Sequence, residues 1–148
     1  MAHLPPAGIL EGIAEEDAHR RLDNTHSIAE IAAHIDFWQS WFLRRCQGES
    51  APMAASAAAG WPAVAQGEWD GLRERFLAGA AALAEIAGRP GAADKAIDPP
   101  IESPPLAGYR LTDAVTHVAQ HNAHHLGQIV TMRQIMGLWP PPAGSWTW

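Results

Sequence analysis

The sequence predicts an all-α fold, a small four-helix bundle with long connections, occupying residues 1–148 as a single domain. Three observations carry that reading. Alanine dominates a hydrophobic fraction of 47%, which favours helices over strands. Apolar residues recur at steps of three and four through three long stretches, the period of an amphipathic helix. Between those stretches lie Pro- and Gly-rich segments that do not continue a helix. No internal repeat marks a second domain, and 148 residues are enough to bury one core.

Taken in order, the elements begin with a short helix. After Pro5 and Pro6, the pattern Ile9, Leu10, Ile13, Ala14 followed by EEDAHRR predicts one, interrupted or weakened at Gly12. The next helix is the best signalled. Ser27 and Glu30 form an S-x-x-E capping box, in which each side chain satisfies an otherwise orphaned backbone N–H. Ile28, Ile31, Ile35, Trp38, Trp41, Phe42 and Arg45 then predict an amphipathic helix from Ser27 to Cys46, stopped at Gly48.

The stretch ESAPMAASAAAGWPAVAQG, ending at Gly67, is of low complexity, and Pro52, Gly60 and Pro62 make it a loop. A third helix is predicted from Glu68 to Ala87, with Trp69, Leu72, Phe76, Leu83 and Ile86 on one stripe. Gly79 and Ala80 sit mid-stripe and permit close helix approach. Residues 88–110 hold five Pro and three Gly, a connection long enough to cross the domain or cover a site. The last helix is expected to be N-capped by Thr112 and to run to Met136, stopped at Gly137, with Gly127 marking close backbone packing. The three prolines of the tail LWPPPAGSWTW exclude helix, so the tail is expected to pack back through Trp139, Trp146 and Trp148.

Charge and composition exclude several function classes. Ten Lys+Arg against sixteen Asp+Glu give a formal charge of −6, with no basic cluster to hold a phosphate backbone, so no nucleic-acid partner is expected. The single Cys46 excludes an internal disulfide and fits a reducing compartment. MAHLPPAGIL carries neither a basic n-region nor an apolar h-region, and no apolar run reaches the roughly 18 residues of a membrane span. The expectation is a soluble, cytoplasmic protein. There is no Gly-rich phosphate loop, G-x-S-x-G elbow or cysteine pair. Glu15/Glu16 and Arg44/Arg45 read as solvated faces, and Trp38, Trp41, Trp69 and Phe76 as core, with Trp38 placed to wall a pocket.

The chemistry concentrates in HVAQHNAHHLGQI. His117, His121, His124 and His125 are four of the eight histidines of the chain, and on a helix they share a sector about 100° wide. His121 and His125, at i and i+4, reach one ion together, yet two histidines supply only half of a metal site. A third has to come from a facing helix. His34 lies on the inward stripe Ile31, His34, Trp38, Trp41, Arg45, whereas His3, His19 and His26 lie in no strong apolar stripe. Alone, His34 reads as a hydrogen-bonded core histidine. Three imidazoles converging from two inward faces need partners, and a shared cation supplies one for all. His117 and His124 read as neighbours rather than ligands. Gln128 either orients a ligand or makes a helix–helix contact.

SIAEIAAHIDFW, then HNAHHLGQIVTMRQIMGLWPPP and a terminal Trp, resemble the DinB-like (DinB/YfiT) superfamily. The resemblance covers Ser27 to Gly48 and Thr112 to Trp148, more weakly Trp69 to Ile86. It implies an up-down-down-up four-helix bundle, often a homodimer, that binds a divalent metal such as zinc or nickel through three histidines. Matched motif to motif, those ligands are His34, His121 and His125. It further implies thiol-dependent S-transfer or isomerisation with low-molecular-weight thiols such as bacillithiol or mycothiol. Two departures stand out: His124 replaces an aromatic residue common in the family, and the segment before His26 is short.

Three imidazoles leave coordination positions open, as in a catalytic rather than a structural site. An open position activates water for hydrolysis or a thiol for transfer to an electrophilic small molecule. The resemblance favours thiol transfer in a detoxification role. The residues themselves leave open a metal-dependent hydrolase and a non-catalytic metal-binding bundle serving stress response or dimerisation. His117, His124 and Asp113 are candidate general bases, and no catalytic residue is assigned.

Overall fold

Ser27 opens the central helix as the capping box requires. Its Oγ accepts from the Glu30 N–H at 3.2 Å, and the Glu30 carboxylate accepts from the Ser27 N–H at 2.8 Å. In the computed structural model, which describes residues 4–144, this is the third of five helices. They run α1 Pro6–Leu10, α2 Glu15–His19, α3 Ile28–Cys46, α4 Trp69–Ala87 and α5 Leu111–Ile135. Among the described residues there is no strand; one isolated bridge pairs Ala96 with Arg110. The class is all-α, with three long helices and two short ones. Among the described residues no helix is long and apolar enough to cross a membrane.

The helix weakened at Gly12 is two helices. Gly12 turns the chain between α1 and α2 at a φ of 69°, and a Cβ there would lie 2.8 Å from Pro142 Cγ. Only glycine gives both the turn and the close approach of the tail.

The start of α5 differs from the expected Thr112 cap. Arg110 is the N-cap residue, and its N–H donates to Asp113 Oδ2 at 2.9 Å. The Leu111 N–H is bound to the Lys95 carbonyl at 2.9 Å and its side chain is buried, so the connection before α5 pins the cap two residues earlier. Gly127 is a second correction. It lies in open space, with nothing within 4 Å of a Cβ built on it.

α3 packs along both α4 and α5, and its two halves contribute to two apolar clusters. One apolar cluster joins Ile9, Leu10, Ile31, Ile35, Trp69, Phe76 and Ile129; the other joins Trp41, Phe42, Leu83, Ile86, Ile97 and Val118. A polar layer adjoins both. Gln39, fully buried, donates to the Phe76 carbonyl at 2.7 Å, and Asn122 Nδ2 donates to Gln39 Oε1 at 2.9 Å. A Cβ at Gly79 would lie 2.6 Å from Gln39 Nε2, so this glycine does permit the close approach expected of it.

Arg45 is not a solvated residue. It is 4% exposed, and its guanidinium donates to the carbonyls of Glu49, Pro99 and Pro100, fastening both long connections to the end of α3. Its neighbour Arg44 is exposed and pairs with Glu49 at 2.7 Å. Arg133, 1% exposed, donates to the carbonyls of Ile9 and Leu138 and lies 5.5 Å from the Trp139 ring centroid. The tail therefore packs back through Trp139; Trp146 and Trp148 lie outside the described residues.

Candidate metal centre

α3 and α5 carry the three histidines to one point. His34 is 8% exposed, His121 and His125 are half-buried, and one ring nitrogen from each lies within 4.8 Å of the others. The ring centroids are 5.0 Å (His34–His121), 4.7 Å (His34–His125) and 4.6 Å (His121–His125) apart. His34 Nε2 and His121 Nε2 approach to 3.2 Å. Two nitrogens on one tetrahedral ion, with bonds of about 2.0–2.1 Å, stand about 3.3 Å apart. Without an ion, a proton has to lie between them.

The tautomers are fixed from behind. His34 Nδ1 lies 2.7 Å from the Gly60 carbonyl, which only accepts, so Nδ1 carries the hydrogen and Nε2 presents its lone pair to the cluster. His125 Nδ1 is held in the same way by Gln128 Oε1 at 2.8 Å. Gln128 thus orients an imidazole of its own helix, and its amide nitrogen lies 3.4 Å from His124 Nε2.

Burial and mutual proximity keep the set uncharged. Burial pushes the His34 imidazole below its usual range, with His125 nearby reinforcing the shift and the Gly60 carbonyl opposing it. His121 is lowered to about 4, first by burial and then by His125 and His34. His125 is lowered by burial, against the bond to Gln128. Neutral imidazoles are the form that ligates a metal.

The other expected residues fall around this centre. His117, half-buried, has Nδ1 3.1 Å from the Tyr109 hydroxyl and its ring 4.9 Å from Phe42. His124 is exposed, with its ring 5.0 Å from that of His125. Asp113 caps α5 two turns before His121 and is not part of the cluster. Cys46 is half-buried, and burial pushes its thiol up to about 11, so it is no nucleophile at neutral pH.

The loop between α3 and α4 contributes what helical periodicity did not point to. Trp61 stacks on His34 at 3.9 Å and, with its other face, on His26 at 4.0 Å. Beside it, Gly60 supplies the carbonyl for His34, and a Cβ there would lie 2.8 Å from Trp38 Nε1. In the sequence the sole signal was an aromatic residue beside a proline in a loop. Trp38 walls a cavity of about 260 Å³ that also touches His121. A larger cavity of about 820 Å³ lies on the far face of α5 against α4, and among the described residues no histidine lines it.

No curated protein and no solved structure matches the chain. The family model described as the DinB superfamily matches residues 7–129, a span that contains α3, α4, His34, His121 and His125, and the chain belongs to that superfamily.

Proposed function

We propose that the protein binds one divalent metal ion, zinc or nickel, through His34, His121 and His125, and acts as a metal-dependent thiol S-transferase or a related detoxification enzyme. The observation that carries the metal reading is the convergence of three neutral imidazoles, two of them held by Nδ1 so that Nε2 faces inward. The ion supplies the positive charge that keeps a thiol ionised at neutral pH. Within the chain, Gly60 and Gln128 hold ring orientation, and Trp61 covers one face of His34 from water. The cavity beside His121 gives a second molecule room to reach the same point.

A low-molecular-weight thiol and an electrophilic small molecule are the partners in this reading, in a cytoplasmic homodimer. The transferase part rests on the likeness of the H-x-x-x-H-x-G-Q-I segment to family members that use such thiols. The α1–α2 pair takes the place of the first helix of an up-down-down-up four-helix bundle, making residues 1–148 one domain.

The test is elemental analysis of the purified protein, followed by consumption of an alkylating electrophile in the presence of small thiols. About one metal per chain, lost when His34, His121 and His125 are replaced by Ala, supports the metal centre. Unchanged metal content in that triple variant sinks it. Bound metal with no thiol-dependent electrophile consumption leaves a metal-binding bundle and removes the transferase.

A further inference from the structure

The cavity beside His121 has a composition that selects its occupant. Trp38 and Phe42 from α3, Met53 from one long connection, Leu106 from the other, and His117 and His121 from α5 form its walls. Among the described residues no Asp, Glu, Lys or Arg lines it, and Ser103 adds a hydroxyl to the two imidazoles. The two long connections, each carrying one short 3-10 turn, Ala57–Gly60 and Pro104–Leu106, are therefore what completes this chamber against the helices.

Volume sets the size of the molecule. A cavity of about 150 Å³ holds a benzene ring, and pockets for drug-sized ligands run from about 300 to 1,000 Å³. At about 260 Å³ this one fits a single substituted ring or a short branched chain. Away from the His121 end the wall carries no countercharge, so a charge on that part of an occupant would be desolvated at a cost nothing repays. His117 is held on its Nδ1 side by Tyr109, and it stands with Ser103 and His121 as the polar side chains of a largely apolar lining. Met53, 37% exposed at the rim, supplies a flexible thioether wall that adapts to different shapes.

We propose that this chamber binds a small, uncharged, largely apolar molecule carrying one polar group, which it directs toward His121. The proposal deepens the proposed function and rests on it for the identity of the reacting end.

The probe is 4-fluorobenzyl alcohol, followed by fluorine NMR line broadening on the full chain after chelation of any bound metal, with 4-fluorobenzoate and 4-fluorobenzylamine as charged analogues. Met53→Trp and Leu106→Trp fill the chamber; Met53 is exposed, so its replacement leaves the core intact. The alcohol is expected to bind, with both charged analogues and both variants weaker by roughly tenfold or more, while metal content before chelation is unchanged. Absence of alcohol binding, equal binding of the charged analogues, or full binding by both variants overturns the proposal. Alcohol binding that is lost in the variants, in a protein free of metal even before chelation, supports the chamber and overturns the metal centre alone.

Discussion

Asn122 donates to Gln39 at 2.9 Å in the interior of the protein, and this one bond ties α5 to α3 one residue beyond His121. Gln39 is oriented in turn by the Phe76 carbonyl of α4, so its amide cannot flip without losing that bond. The three long helices are therefore registered against one another by two side-chain amides rather than by apolar packing alone. Buried amides cost free energy when unpaired, which makes the layer specify one alignment.

Gly79→Ala tests this layer with the smallest possible change. The added Cβ would lie 2.6 Å from Gln39 Nε2, and Gln39 can retreat only by releasing the Phe76 carbonyl. Gly79→Ala and Gln39→Leu are each expected to destabilise by about 1–3 kcal/mol, measured by urea unfolding. Ala is the better helix former, so an increase in stability for Gly79→Ala would show that the layer has slack.

Arg45 is expected to hold the long connections. Its guanidinium serves the carbonyls of Glu49, Pro99 and Pro100 at 4% exposure. Arg45→Met keeps the length of the side chain and orphans those acceptors, at an expected cost of about 2–4 kcal/mol. Arg44→Met, which removes an exposed pair with Glu49, is expected to cost under about 1 kcal/mol. Thermal unfolding of the two variants side by side distinguishes them; equal effects would refute the assignment.

These two arginines also show what the sequence could and could not tell. The capping box at Ser27 and the stripe through His34 are local signals, because a helix fixes the direction of each side chain from its phase. Convergence of His34 on His121 and His125 followed from two such phases. Arg45 lay on the same stripe, but charge argued for solvent, and its partners are carbonyls in a loop that no periodicity describes. Gly60 and Trp61 were hidden for the same reason. Thr112 lost the cap of α5 to Arg110 because Lys95, distant in the periodic pattern, binds Leu111.

Gln128 and Gly60 are expected to tune metal affinity without supplying a ligand. Gln128→Leu removes the acceptor behind His125 at an exposed position. Gly60→Ala pushes against Trp38 and shifts the carbonyl behind His34. Loss of such outer contacts weakens metal binding roughly 10–100-fold, read by competition with a chromogenic chelator. For Gln128→Leu the unfolding midpoint of the chelated protein is expected to stay within about 0.5 kcal/mol of the parent. Unchanged affinity in both variants would mean that ring orientation is set elsewhere.

The pH dependence of the chelated protein has a definite sign. His34, His121 and His125 all have folded-state affinities for protons below the ordinary histidine range, His121 down to about 4. Above pH of about 6.5 the imidazoles are neutral in both states and contribute no pH dependence. Below it the unfolded chain takes up protons that the folded cluster refuses, so stability falls with pH. For His121 the fall continues to about 4, where the folded form protonates as well. His121→Gln is therefore expected to flatten the stability profile between pH 6.5 and 4 while leaving the profile above pH 7 parallel to that of the parent. Urea midpoints collected across that range on metal-free protein make the comparison. A profile as steep in His121→Gln as in the parent would place the acid sensitivity in His34, His125 or the carboxylates, with Glu30 the first carboxylate to replace. Its carboxyl is held below its ordinary range, against its own desolvation, by the Ser27 N–H and the Arg21 guanidinium.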